Sequence, residues 1–219
     1  MFRDRTDAGE QLVARFKGRT LHDPLVLAIP RGGVIVGAVL AKALHADLDV
    51  ILSRKLRAPG QPELALGAVS ESGEVYLEHH SAHDAKWFQE YIDEELTEQL
   101  NEIARRRNLF RSVLPPAPVE GRSIILTDDG LATGATMIAA AKVVKAQRPR
   151  EVIVAVPVAS PDRLNEVRQF CSDALCVLQP RHFHAIGQFY EDFTQIEDEE
   201  VVALLREVAA RHGGVAAHS

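Results

Sequence analysis

Ile124-Ile125-Leu126-Thr127-Asp128-Asp129-Gly130-Leu131-Ala132-Thr133-Gly134-Ala135-Thr136 decides the fold, because it changes periodicity in the middle. Its first residues are a short, nearly continuous apolar run, the pattern of a strand covered on both faces. Its last residues are small and lead into Thr136 to Ala146, which has helical spacing. The acids and the Thr-Gly turn therefore lie where a buried strand gives way to a helix. Ala132, Thr133, Gly134, Ala135 and Thr136 would offer successive backbone amides and two hydroxyls at a helix N-terminus, where the dipole favours a phosphate. Asp128 and Asp129, close by, can accept hydrogen bonds from vicinal hydroxyls. A phosphate cradle beside two diol acceptors describes a ribose 5-phosphate site. An acidic turn that merely caps the helix accounts for one Asp, but not for the pair together with Thr-Gly-x-Thr.

Similar runs occur at Leu25 to Ile29, Val50 to Leu52, Val152 to Val158 and Leu175 to Leu178, with helical stretches at Val34 to Leu44 and Pro161 to Phe170. Ser160 and Pro161 suit a helix cap and first helical position. Alternation of this kind predicts an α/β fold, a mostly parallel twisted sheet flanked by helices, with ligands at the carboxyl ends of the strands. A second turn lies at that edge: Pro30-Arg31-Gly32-Gly33, where two glycines expose amides and Arg31 offers a planar fork to phosphate oxygens. Alone, Arg-Gly-Gly also marks ordinary strand-to-helix turns. Beside the Asp-Asp turn it suits a pyrophosphate. Lys55, after Ser53 and Arg54, is a further pyrophosphate candidate, and a solvated surface pair is the alternative.

The middle of the chain departs from the alternation. Residues 63 to 77 predict a hairpin around Glu71-Ser72-Gly73, and residues 84 to 113 one long helix with Phe88, Ile92, Leu96, Leu100 and Ile103 on one stripe. The stripe either packs on the body of the domain or meets its copy in a homodimer. Pro115-Pro116-Ala117-Pro118 ends that helix. The expected organisation is a single domain over 1–219, with a hairpin and long-helix insertion over 61–118 and a candidate hood and C-terminal helix over 179–212.

Composition excludes several classes. The 219 residues are 46% hydrophobic and 26% charged, with a net charge of −6, which argues against nucleic acid or an anionic membrane as the main partner. No apolar h-region opens the chain and no apolar run approaches membrane-spanning length. With only two cysteines, Cys171 and Cys176, a reducing cytoplasmic location is expected. His79, His80 and His83 with Asp84 read as the solvated start of the long helix rather than a metal site, so no protein metal site is expected.

The Asp128–Thr136 segment resembles the signature of the type I phosphoribosyltransferases, enzymes that use phosphoribosyl pyrophosphate (PRPP), and the similarity in element order runs from about Leu25 to Leu178. Thr127 and Gly130 depart from it, standing where that family usually has apolar residues. The Arg31-Gly32-Gly33 turn resembles the family's pyrophosphate loop. The resemblance implies transfer of 5-phosphoribosyl to a small nitrogenous acceptor, with Asp128 and Asp129 on the ribose hydroxyls, residues 132–136 on the 5-phosphate, an unusual peptide bond in the 30–33 loop, and Mg2+ carried mainly by the substrate pyrophosphate. In the 6-oxopurine enzymes an Asp occupies the position of Ala132, so the acceptor is expected to be something else. Family members build a hood over the acceptor from outside the core. Residues 181–193 are the candidate here, with Phe183 and Tyr190 as stacking residues. A domain that binds PRPP without catalysis is the rival reading.

Overall fold

The computed structural model describes residues 1–58, 61–77 and 86–215, with backbone alone for 61–66, 77, 86–89 and 211–215. Five strands, β1 (Leu25–Ala28), β2 (Asp47–Val50), β6 (Ser123–Thr127), β7 (Glu151–Val158) and β8 (Asp173–Leu178), form a parallel sheet in the order β2-β1-β6-β7-β8. Successive side chains on a strand point to opposite faces, so each buried strand supplies two cores. Leu25, Leu27, Ile124, Leu126, Val152 and Val154 pack under α4 (Ala135–Ala146) and α5 (Pro161–Arg168). Val26, Ala28, Ile125, Ile153 and Ala155 face α1 (Arg5–Val13), α2 (Gly32–Leu44), α3 (Lys86–Arg111) and α6 (Asp198–Val215). The predicted mostly parallel sheet with helices on both faces is the observed one. As the sequence predicts, Ser160 caps α5 and Pro161 opens it. Thr127 occupies an apolar place: its fully buried hydroxyl has no hydrogen-bond partner among the described residues.

A second, antiparallel sheet, β3 (Ser53–Ala58), β4 (Gln61–Ser70) and β5 (Val75–Leu77), and the helix α3 form the inserted layer. β3 brings Ser53, Arg54 and Lys55 into this layer, a strand that the sequence analysis did not mark. The apolar stripe of α3 packs within the chain: Ile92 and Ile103 are buried, Phe110 completely so, and Leu96 and Leu100 lie against the same core. From Ile92 to Ile103 its own chain covers the stripe, which there carries no separate argument for a dimer; the Phe88 side chain lies outside the described residues. Arg111 bolts the end of α3 to the parallel sheet and the hairpin together. It reaches Asp49 at 2.5 Å and the Val50 carbonyl at 3.0 Å on β2, and Glu71 at 2.8 and 2.9 Å in the hairpin turn. Such a network is expensive to break once buried, because each lost partner strands a charge.

The sequence did not mark α1. Asp4 caps it, accepting from the Asp7 amide at 2.8 Å, and it packs against α2. Phe2, just before it, pairs with Tyr190 as an isolated bridge and so ties the N-terminus to the 181–193 segment. None of the described helices is long and apolar enough to cross a membrane. His79, His80, His83 and Asp84 lie outside the described residues.

Candidate functional site

The ends of β1 and β6 are neighbours, since Ala28 pairs with Thr127, and this places the Pro30–Gly33 turn beside the Asp128–Thr136 turn. The two backbones approach so closely that side chains are excluded between them. A Cβ on Gly33 would lie 2.8 Å from Asp128 Cα, and one on Gly32 would lie 2.0 Å from Asp129 Oδ2 and 2.7 Å from Arg5 Nε. Only the glycine pair permits this approach. The Pro30–Arg31 peptide bond in this turn is cis. Replacing Gly32 by Ala is expected to cost about 1–3 kcal/mol through the forced displacement of Asp129, read as a lower melting temperature; an unchanged melt would show that the turn can give way.

The two acids hold different positions. Asp129 is 8% exposed and points inward, where Oδ2 meets Arg5 Nε at 2.8 Å. Arg5 also donates to the Thr194 carbonyl at 2.9 Å and lies over the Phe193 ring at 4.0 Å. Asp128 is half-buried, accepts the Asp129 amide at 2.8 Å, and lines a cavity of about 800 Å³. The two expected diol acceptors are thus placed differently: Asp128 lines the cavity, whereas the Asp129 carboxylate is engaged by a cation from α1. Burial, and next the charge of Asp129, hold the Asp128 carboxyl well above the usual carboxylate range. Burial also raises Asp129, with Arg5 opposing the shift.

Beyond the acids, Gly134 sits at a φ of 80° and starts α4, a conformation natural to glycine. The Thr133 hydroxyl accepts the Ala135 amide at 3.4 Å. Ala132, Thr133 and Thr136 are exposed and Ala135 is half-buried. Thr136 lines the same cavity as Asp128. The start of α4 thus lies beside Asp128 at the cavity, and the N-terminus of a helix carries amides without intrahelical partners. Gly130 is accounted for by contact as well: a Cβ there would meet Ile186 at 2.9 Å and Val158 at 3.0 Å.

The pyrophosphate candidates are divided. Gly32 and Gly33 line the turn as described, but Arg31 is directed at Glu197, at 3.1 Å. Lys55 lies on the cavity wall with Arg54, Arg57 and Ser53 from β3 and Glu98, Gln99, Asn101, Glu102 and Arg106 from α3. Arg57 is held by Glu95 at 2.8 and 3.1 Å and by Glu98 at 2.9 Å. The sequence missed this α3 wall and Arg5. A polar helix face looks the same in sequence whether it meets water or a cavity.

The hood candidates pack on protein. Tyr190 is 5% exposed, lies against Phe2 and Phe193 at ring separations of 5.2 and 5.0 Å, and donates its hydroxyl to the Asp129 carbonyl at 2.7 Å. It braces the acidic turn from behind, with its ring packed between Phe2 and Phe193. Phe183 is half-buried against Phe189 at 5.3 Å. Neither is among the residues lining the cavity. Among the described residues, no group of three or more His, Cys, Asp or Glu is placed to hold a metal ion.

Fold and site together define a protein with a double-glycine turn and an acid-to-helix turn side by side at the carboxyl edge of a parallel sheet. The family model described as the phosphoribosyl transferase domain matches residues 5–194, and the chain belongs to that family. Proteins of Mycobacterium tuberculosis strains CDC 1551/Oshkosh and H37Rv, both provisionally named as phosphoribosyl transferases, are each 40% identical to it over 205 residues, covering 94% of this chain and 46% of theirs. The chain thus spans about half the length of the curated relatives it matches. The crystal structure of TT1426 from Thermus thermophilus is similar with a TM-score of 0.89 and 43% identity, covering 94% of this chain and 98% of that one. The type I phosphoribosyltransferase fold implied by the sequence is thereby shown.

Proposed function

We propose that this domain transfers a 5-phosphoribosyl group from PRPP to a small nitrogenous acceptor and releases pyrophosphate. The observation that carries this reading is the shared cavity: Asp128, the start of α4 at Thr136 and the cations of β3 all line one space. In the proposed complex the 5-phosphate lies over the first-turn amides of α4, Asp128 accepts from the ribose hydroxyls, and the pyrophosphate extends toward the Gly32-Gly33 turn and Lys55. Mg2+ carried by the substrate would lower the charge of the pyrophosphate leaving group, with no ligand required from the described residues. The domain's own contribution is position and charge: it holds C1 of the ribose open to the acceptor while positive charge develops on the ring, and the carboxylate of Asp128, the acid that lines the cavity, favours that charge. Ala132, in place of an Asp, favours an acceptor other than a 6-oxopurine. The cytoplasm is the proposed location.

The test is pyrophosphate release from PRPP and Mg2+ across a panel of nucleobases and other nitrogen nucleophiles. Acceptor-dependent release supports the transferase. A second reading, a PRPP-sensing domain, draws on the aromatic hood candidates being packed away from the cavity, and tight PRPP binding with no release for any acceptor would favour it. No binding of PRPP at all would remove both.

A further inference from the structure

The inserted helix α3 has no part in either sequence motif, yet it forms one whole wall of the cavity. From Glu98 to Arg106 it runs along the space for about 12 Å. Its charges are unevenly matched. Near Asn101, Arg57 is satisfied by two acids, Glu95 and Glu98. At the other end three guanidinium groups converge on one carboxylate: Glu102 meets Arg54 at 3.0 Å, Arg106 at 3.1 Å and Arg105 at 3.2 Å. Arg105 has a second acid in Asp198, at 2.9 Å. Among the described residues the excess positive charge thus falls on Arg54 and Arg106, and these are the two of the three that line the cavity. Arg106 is largely covered, and burial, followed by the charge of Arg54, works against its charged form. Among the described residues a single carboxylate is thus shared by two partly covered guanidinium groups on the cavity wall, and guanidinium groups with N–H donors to spare suit phosphate oxygens.

We propose that Arg54 and Arg106 form an anion subsite for a phosphate group, built by the insertion and separate from the amide cradle at the start of α4. Resting on the phosphoribosyl reading of the same cavity, the subsite takes the distal phosphate of the pyrophosphate as its occupant. A fixed helix then does what would otherwise require a closing loop, since the guanidinium groups are already in place before substrate arrives. The same donors would also suit a separate phosphate-bearing acceptor, and the experiment distinguishes the two sources.

Calorimetry on the intact chain with Mg2+ compares inorganic pyrophosphate, PRPP and ribose 5-phosphate for the parent, Arg106→Gln, Arg106→Lys and Arg54→Gln. Both Gln variants are expected to weaken pyrophosphate and PRPP about tenfold or more, and to leave ribose 5-phosphate unchanged, because each removes charge-assisted hydrogen bonds to one phosphate only. Arg106→Lys is expected to fall between, keeping the charge and losing the fork. If PRPP binding is intact in the Gln variants but inorganic phosphate no longer binds to the PRPP-loaded protein, the subsite stands and serves a separate anion. Unchanged binding of every ligand overturns the subsite, and so does equal weakening of ribose 5-phosphate, which would show a general effect on the cavity. Melting curves of the variants identify a folding defect, and Arg54→Gln, on a different element, supplies the answer should Arg106→Gln fail to fold. Arg106-dependent binding of pyrophosphate without any binding of ribose 5-phosphate or PRPP would keep the subsite and remove the phosphoribosyl reading. The converse pattern would do the reverse.

Discussion

Replacing Arg5 by Met is expected to destabilise the fold by about 3–5 kcal/mol at neutral pH, since it removes one partner of a buried ion pair and leaves the other uncompensated. The Asp129 carboxylate has Arg5 Nε at 2.8 Å as its charged partner, and both side chains are about nine-tenths covered. For a domain of this size the loss corresponds to roughly 10 °C in melting temperature. The pH dependence follows from Asp129. Burial already raises its pKa against the pull of Arg5, so without Arg5 the folded-state pKa rises further above the unfolded value. A carboxyl raised in this way is tolerated while protonated, and its cost appears as pH climbs from the unfolded value through the folded one. The gap between parent and variant should therefore be widest at neutral pH and narrow in acid. The double variant Arg5→Met, Asp129→Asn should recover much of the loss, as the stranded charge is then gone. Thermal melts across pH settle it: a variant that melts with the parent at every pH would mean that the pair contributes nothing.

Asp128→Asn should move stability and binding in opposite directions. If Asp128 accepts from the ribose hydroxyls, the neutral amide loses charge-assisted acceptance and PRPP affinity should fall about 100-fold. The carboxyl of Asp128 is held well above its ordinary range by burial and by Asp129. Its ionised form is thus a burden on the folded state, present at pH values above the unfolded pKa and absent below it. Removing the charge should leave the melting temperature equal to or above that of the parent at neutral pH, with the difference vanishing in acid. Such opposition is common where a site keeps an unfavourable group for binding. A lowered melting temperature together with full PRPP affinity would place Asp128 among structural residues and take the ribose assignment with it.

Much of the architecture was legible because it depends on short-range pattern. The buried strands announce themselves as apolar runs at Leu25 to Ile29 and Ile124 to Leu126, and the α5 cap as Ser160-Pro161. The turns at Arg31-Gly32-Gly33 and Asp128 to Thr136 are local chemistry, and β1–β6 pairing brings them together. The hairpin and the long helix were also visible in periodicity. β3 and α1 were not. β3 is a short strand in which the adjacent charges Arg54 and Lys55 break any alternation, and α1 opens with Arg-Thr-Asp and little apolar signal.

The identity of the two turns, their place at the carboxyl edge of a parallel sheet and the family that these features resemble were set by the order of residues alone, since each rests on contacts between near neighbours in the chain or on strand periodicity. Which acid faces the cavity was decided only by tertiary structure. Asp128 and Asp129 are chemically alike, and what separates them is Arg5, 124 residues away in sequence, brought to Asp129 by the packing of α1 on α2. The same holds for Tyr190, turned from ligand face to brace by Phe2 and Phe193, and for Arg106, whose helix face becomes a cavity wall because Arg111 and Phe110 anchor α3 to the sheet. Long-range partners choose among local options that are equal in energy until the chain is folded.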